Sequence, residues 1–253
     1  ALRAQHEAEL REYQHRLEDL QRQHHQLLER KLSDVSLNSR RLLLVGAVAS
    51  GKSALCASWC GRDPAAVQRS HVIDKLFKSI DLKNLGVEKS GVALREHQCI
   101  ECYDMPGEVT IDAVLQALRE SEQNLQDTPR ALLFVIALWP YPGPGPGLSE
   151  GEVMKQVEEN LKSQWKSFEF DLQVLGKSKV LSKNLKATAI FFNKLDLVEQ
   201  YGPHLRSQVT PLIEPFVAAV RRLFPDAGHF VGSALTGEQC PGLLRYFVEK
   251  TFA

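Results

Sequence analysis

The chain has no excess of charge of either sign: 31 Lys and Arg balance 31 Asp and Glu. Without a basic surplus, composition gives no footing for a nucleic-acid partner or for an anionic membrane surface. Long hydrophobic runs are also missing. The longest, ALLFVIALW at 131–139, is far too short to cross a bilayer, so no transmembrane segment is expected. No signal peptide is visible. A cytoplasmic protein is expected, and membrane recruitment stays open because the chain starts at Ala1 and sequence beyond it could carry an anchor. Cysteines are few: Cys56, Cys60, Cys99, Cys102 and Cys240. An odd, scattered count suits a reducing compartment better than a disulfide framework. Cys99 and Cys102 have the CxxC form, but on a strand that spacing puts the thiols on opposite faces, which argues against a metal or redox pair. Cys56 and Cys60 find no second pair and read as core thiols.

Glycine and proline are absent from 2–33, a stretch rich in Glu, Gln, Arg, Leu and His. Leu10, Tyr13, Leu17, Leu20, His24 and Leu27 alternate steps of three and four, which is a heptad seam with polar flanks. Residues 1–38 are therefore expected to form an N-terminal helix. It pairs as a coiled coil with a second chain, giving a homodimer, or lies as an amphipathic helix on its own domain. The seam supports both. The remaining residues, 39–253, have the length and the ordinary apolar content of one sizeable domain.

From residue 40 onward short apolar runs alternate with helical stretches. RLLLV (41–45), CIECY (99–103), ALLFVIAL (131–138), KATAIFF (186–192) and HFVGS (229–233) read as five strands. Helices are expected over 52–60, 110–125, 150–168, 203–223 and 241–250. Continuous apolar strands with intervening helices specify a mostly parallel, doubly wound α/β sheet covered on both faces. WPYPGPGPG (139–147) breaks the rhythm as a Pro/Gly loop. It leaves the carboxyl end of a strand, where such folds bind ligands. Covering the site or meeting a partner are open to it, but a variable surface loop is the favoured reading. Residues 170–185 are basic and ambiguous.

GAVASGKS (46–53) fits G-x-x-x-x-G-K-[ST] behind a strand and ahead of a helix, the context that pattern requires. Gly46 and Gly51 let the backbone wrap an anion. Successive N–H groups across Ala47, Ser50, Gly51 and Ala54, with the helix N-terminus, point at phosphate oxygens. Lys52 supplies a cation to the outer phosphates, and the Ser53 hydroxyl suits Mg²⁺. FFNKLD (191–196) ends a later strand. Guanine shows two donors, N1–H and the 2-amino group, and the single carboxylate of Asp196 accepts both. Adenine meets it with a lone pair instead. Asn193 can bond the base and tie neighbouring loops, and the Lys194 stem can lie along the ring. DMPGE (104–108) gives Asp104 to Mg²⁺ through water and the Gly107 N–H to a γ-phosphate. In GSALTG (232–237) the Ala234 N–H can reach the guanine carbonyl, with Ser233 and Leu235 beside it.

With these motifs in order, residues 40–252 resemble the Ras/Arf-like branch of the P-loop GTPases. The resemblance implies GTP or GDP and Mg²⁺ as ligands, two switch loops, regulatory or effector proteins as partners, and Lys52 with Glu108 in the hydrolytic positions. The chain departs from the family in three ways. No threonine lies between Ser53 and Asp104; Asn84, Ser79 and Ser90 are the candidates for the missing first-switch ligand. Glu108 stands where many members have glutamine. An ionised Glu only accepts hydrogen bonds, and at ~4 Å with an effective dielectric near 20 it repels a γ-phosphate charge by about 4 kcal/mol. Either Glu108 points away, or it serves as a base, or hydrolysis is slow or partner-dependent, and the last is the favoured expectation. The interval from DMPG to NKLD is also longer than in compact members. A nucleotide-dependent switch is the leading function. A scaffold holding a permanent guanine nucleotide, with the N-terminal helix as its working part, is the alternative, and an ATP-using enzyme is disfavoured by Asn193 and Asp196.

Overall fold

A computed structural model describes residues 39–66, 78–81, 99–104, 131–145, 147–177 and 185–252. The N-terminal helix, the 110–125 helix, Gly107, Glu108, Asn84 and Ser90 lie outside the described residues.

Among the described residues six strands form one sheet: β1 (Ser39–Val45), β2 (Lys78–Asp81), β3 (Cys99–Asp104), β4 (Ala131–Ala137), β5 (Ala187–Asn193) and β6 (Gly228–Val231). Their order across the sheet is β2-β3-β1-β4-β5-β6. β1 pairs parallel with β4, β4 with β5 and β5 with β6, while β2 pairs antiparallel with β3. The expectation of five strands misses β2, a four-residue edge strand, KSID, with a single strongly apolar residue to mark it. Ser79 sits in that strand opposite Glu101.

The unbroken apolar strands are explained by the two cores. Along β1, Leu42 and Leu44 enter one and Leu43 and Val45 the other, following the period of two of a pleated strand. The same alternation sends Leu132, Phe134 and Ile136 of β4 one way and Leu133 and Val135 the other. The core that holds Leu43, Val45, Leu132, Phe134 and Ile136 is closed by α2 (Glu150–Lys177) and α4 (Leu205–Leu223), and the one that holds Leu42, Leu44, Leu133 and Val135 by α1 (Lys52–Trp59) and α5 (Cys240–Phe252). A short α3 (Leu195–Glu199) follows β5. This mostly parallel sheet with helices on both sides is the α/β architecture that the alternating strands and helices of the sequence lead one to expect.

α2 runs to Lys177, past the expected end at 168. Val153, Val157, Leu161, Gln164, Phe168, Leu172 and Leu175 recur in steps of three and four, so the buried stripe simply continues. Its start is a capping box: the Ser149 N–H donates to Glu152 Oε2 at 2.8 Å, and the Glu152 N–H reaches Ser149 Oγ at 3.4 Å. The Ser149 hydroxyl also donates to Glu152 Oε2, at 2.7 Å, and this bond, with that from the Ser149 N–H, lowers the pKa of the Glu152 carboxyl. In α4 Pro211 and Pro215 lie on the exposed face, where the missing N–H groups cost least.

Candidate functional site: a pocket between the 46–51 loop and the NKLD segment

β1 delivers the chain into the 46–51 loop, and α1 takes it away. Ala49 (φ 57°) and Gly51 (φ 94°) are both left-handed. Both motif glycines are demanded by close neighbours. A Cβ on Gly46 would collide with the Val135 carbonyl oxygen of β4, and one on Gly51 with the Asn193 amide nitrogen. Lys52 is buried, and its Nζ donates to the Gly46 carbonyl at 2.8 Å and the Ala47 carbonyl at 3.1 Å. The cation thus spans its own loop. The Ser50 hydroxyl is buried and has no hydrogen-bond partner among the described residues. Ser53 is half-buried in the first turn of α1. Asp104 is the last residue of β3, the strand next to β1 in the sheet. Among the described residues no group of three or more His, Cys, Asp and Glu side chains could hold a metal.

At the other end, Asn193 closes β5 and is buried. Its Nδ2 donates to the Ser50 carbonyl at 2.9 Å, and its Oδ1 accepts the Ala234 N–H at 2.8 Å. One amide therefore ties three of the sequence motifs together, the loop-tying role expected of it. The Ala234 N–H, expected to serve a base, is engaged by Asn193 here. Main-chain bonds reinforce the junction: Leu195 N–H to the Gly232 carbonyl and Gly232 N–H to the Phe192 carbonyl, both 3.0 Å. Ser233 is fully buried and its Oγ accepts the N–H groups of Leu235 (3.2 Å) and Thr236 (3.3 Å), which turns the chain and leaves Leu235 half-exposed.

Lys194 has φ 69° and sends its Nζ to the Trp139 carbonyl at 3.1 Å. Burial lowers its pKa, opposed by the nearby Asp196 carboxylate. The Asp196 side chain is half-buried and makes no hydrogen bond among the described residues. A cavity of about 680 Å³ opens between these groups, lined by Gly51, Ala54, Asn193, Lys194, Asp196, Ser233, Ala234 and Leu235. That volume lies within the range of small-ligand sites. The structure therefore gathers the base-end residues singled out in the sequence around one space.

Trp139, Pro140, Tyr141, Gly143 and Pro144 line the same cavity. The favoured reading of 139–147 as a variable surface loop is thus corrected: its first half is a wall of the pocket. The signal was in the sequence, a strand whose carboxyl end runs directly into WPYPGPGPG, but nothing in the composition says that the loop folds inward. Tyr201, stacked on Trp139 with centroids 5.6 Å apart, was also missed and lines the cavity.

No family model and no curated protein matches the chain. Among solved structures it is similar to that of Era in complex with MgGDPNP and nucleotides 1506–1542 of 16S ribosomal RNA, at 18% identity over 84% of this chain and 57% of that one, with a TM-score of 0.42. The chain thus spans less than two thirds of Era's length. No helix among the described residues is long and apolar enough to cross a membrane.

Proposed function

We propose that this protein binds guanine nucleotide in the pocket between the 46–51 loop and NKLD, and acts as a molecular switch with slow or partner-dependent GTP hydrolysis. The observation that supports it is the Asp196 carboxylate, without a hydrogen bond among the described residues and lining a cavity that Gly51 and Ala234 also line. An acceptor-only group there suits the paired donors of guanine. The polyphosphate would run along the 46–51 loop, with Lys52 exchanging its carbonyl partners for phosphate oxygens. Ser53 and Asp104 are hard oxygen donors that would hold Mg²⁺, and the ion would supply positive charge against the phosphates. Glu108 would slow attack on the γ-phosphate by its charge.

The full chain is expected to bind GDP and GTP at least tenfold more tightly than ADP or ATP by calorimetry. Asp196→Asn should lose that preference and favour xanthine nucleotide, whose 2-carbonyl wants a donor. Equal affinity for guanine and adenine nucleotides in the unmodified chain would overturn the reading.

A scaffold that holds its nucleotide permanently is the second reading. It is favoured by the absence of threonine between Ser53 and Asp104 and by the place of Ser79 in β2. Hydrogen exchange across 79–91 separates the two. A switch differs between GDP and a non-hydrolysable GTP analogue, and a scaffold gives the same protection with both.

A further inference from the structure

The 139–144 segment has no part in the phosphate loop or in the guanine-reading carboxylate, yet it is built as firmly as either. The end of β4 is clamped from α2. Gln164 accepts the Ala137 N–H at 3.0 Å and donates to the Ala137 carbonyl at 2.8 Å, and Asn160 adds a third bond at 2.7 Å. The next residue, Leu138, donates its N–H to the Asn193 carbonyl at 2.9 Å. Trp139 then buries its indole against Tyr201 and offers its carbonyl to Lys194. The chain folds back so tightly at Gly143 that a Cβ there would lie 2.6 Å from the Trp139 indole nitrogen. Pro140, Pro142 and Pro144 each fix a φ angle along the way. A loop with this many constraints loses little entropy on binding a ligand.

On this stiff frame sits one large exposed ring. Tyr141 is 64% exposed, lines the cavity, and lies 5.9 Å from the Lys194 ammonium. Lys194 and Asp196 are two residues apart, and both line the space into which Tyr141 faces.

Resting on the guanine-pocket reading, we propose that Tyr141 stacks on the purine of the bound nucleotide, making the 139–144 segment a base-recognition wall separate from the four sequence motifs. The flat ring meets the face of the base, and Asp196 meets its edge. Stacking needs an aromatic face and no hydroxyl. Phe and Trp therefore serve at 141 and Ala does not.

The test uses the full chain and three variants, Tyr141→Ala, Tyr141→Phe and Tyr141→Trp, titrated with GDP and with inorganic pyrophosphate. Tyr141→Ala should bind GDP about tenfold more weakly, with pyrophosphate binding unchanged, while Tyr141→Phe stays within twofold of the parent. In Tyr141→Trp the new indole emission should be quenched by GDP and not by pyrophosphate. The proposal falls if Tyr141→Ala holds GDP as tightly as the parent, if it weakens both ligands alike, or if the indole of Tyr141→Trp is indifferent to GDP. A parent chain that prefers GDP over ADP while Tyr141→Ala is silent sinks this proposal alone. A parent without that preference sinks the guanine reading and this one with it.

Discussion

The two ends of the pocket are built on different principles. At the base end, Asn193 is bonded to Ser50 and Ala234, Ser233 to Leu235 and Thr236, and Gly232 to Phe192 and Leu195, while the Asp196 carboxylate, without a hydrogen bond among the described residues, lines the cavity. At the phosphate end, Lys52 rests on carbonyls of its own loop. A carbonyl is only partly negative, so a phosphate oxygen competes well for the ammonium. If the pocket takes the guanine nucleotide proposed for it, its base end is prearranged, whereas holding the phosphates asks a buried cation to change partners.

Asn193→Ala should have the largest effect, because it breaks the prearranged end. It strands the Ser50 carbonyl and the Ala234 N–H, both in buried residues, at ~1–3 kcal/mol each. A loss of about 3 kcal/mol in urea unfolding is expected; a loss below 1 kcal/mol would mean that the three motifs are not held by this amide. Lys52→Ala tests the exchangeable end. GDP affinity should drop about a hundredfold, ~2.7 kcal/mol, while urea stability falls by less than for Asn193→Ala. If stability suffered most, Lys52 would be a structural clasp and the contrast between the two ends would fail.

Gln164→Ala asks whether the prearranged end depends on α2. It exposes no functional group, yet leaves the Ala137 N–H without its partner, and about 2 kcal/mol of stability should go. A control lies outside both ends. Burial raises the Asp171 carboxyl to about 6. Its folded pKa lies above the unfolded one, so stability is fullest below about pH 4 and declines as pH climbs through 6. Asp171→Asn should flatten that decline and add ~1 kcal/mol at pH 7 once solvent screening is allowed for, with nucleotide affinity unmoved. A pH profile identical to the parent's would remove the effect.

Much of this was legible in advance, and for definable reasons. The parallel core strands announced themselves because burial on both faces forces unbroken apolar runs such as ALLFVIA. The pocket residues of the base end were legible because NKLD and GSAL follow strands. The edge strand β2 was not: KSID has one strongly apolar residue and no apolar run to mark it as a strand. α2 outran its expected end because a buried Gln164 and the polar DLQ at 171–173 hide a stripe that continues at Phe168, Leu172 and Leu175. The inward fold of 139–144 was invisible for another reason. It depends on partners at 160, 164, 193, 194 and 201 that no local pattern brings near.

The crowding around Gly46 carries a wider lesson. The β4 carbonyl fills the space where a side chain would stand, so the residue is fixed by how two neighbouring strands meet, whether or not any phosphate is ever cleaved. Gly51 is held in the same way by Asn193, so both glycines answer to the packing of their neighbours before they answer to any ligand, and a side chain at either position is expected to cost stability whatever the pocket holds.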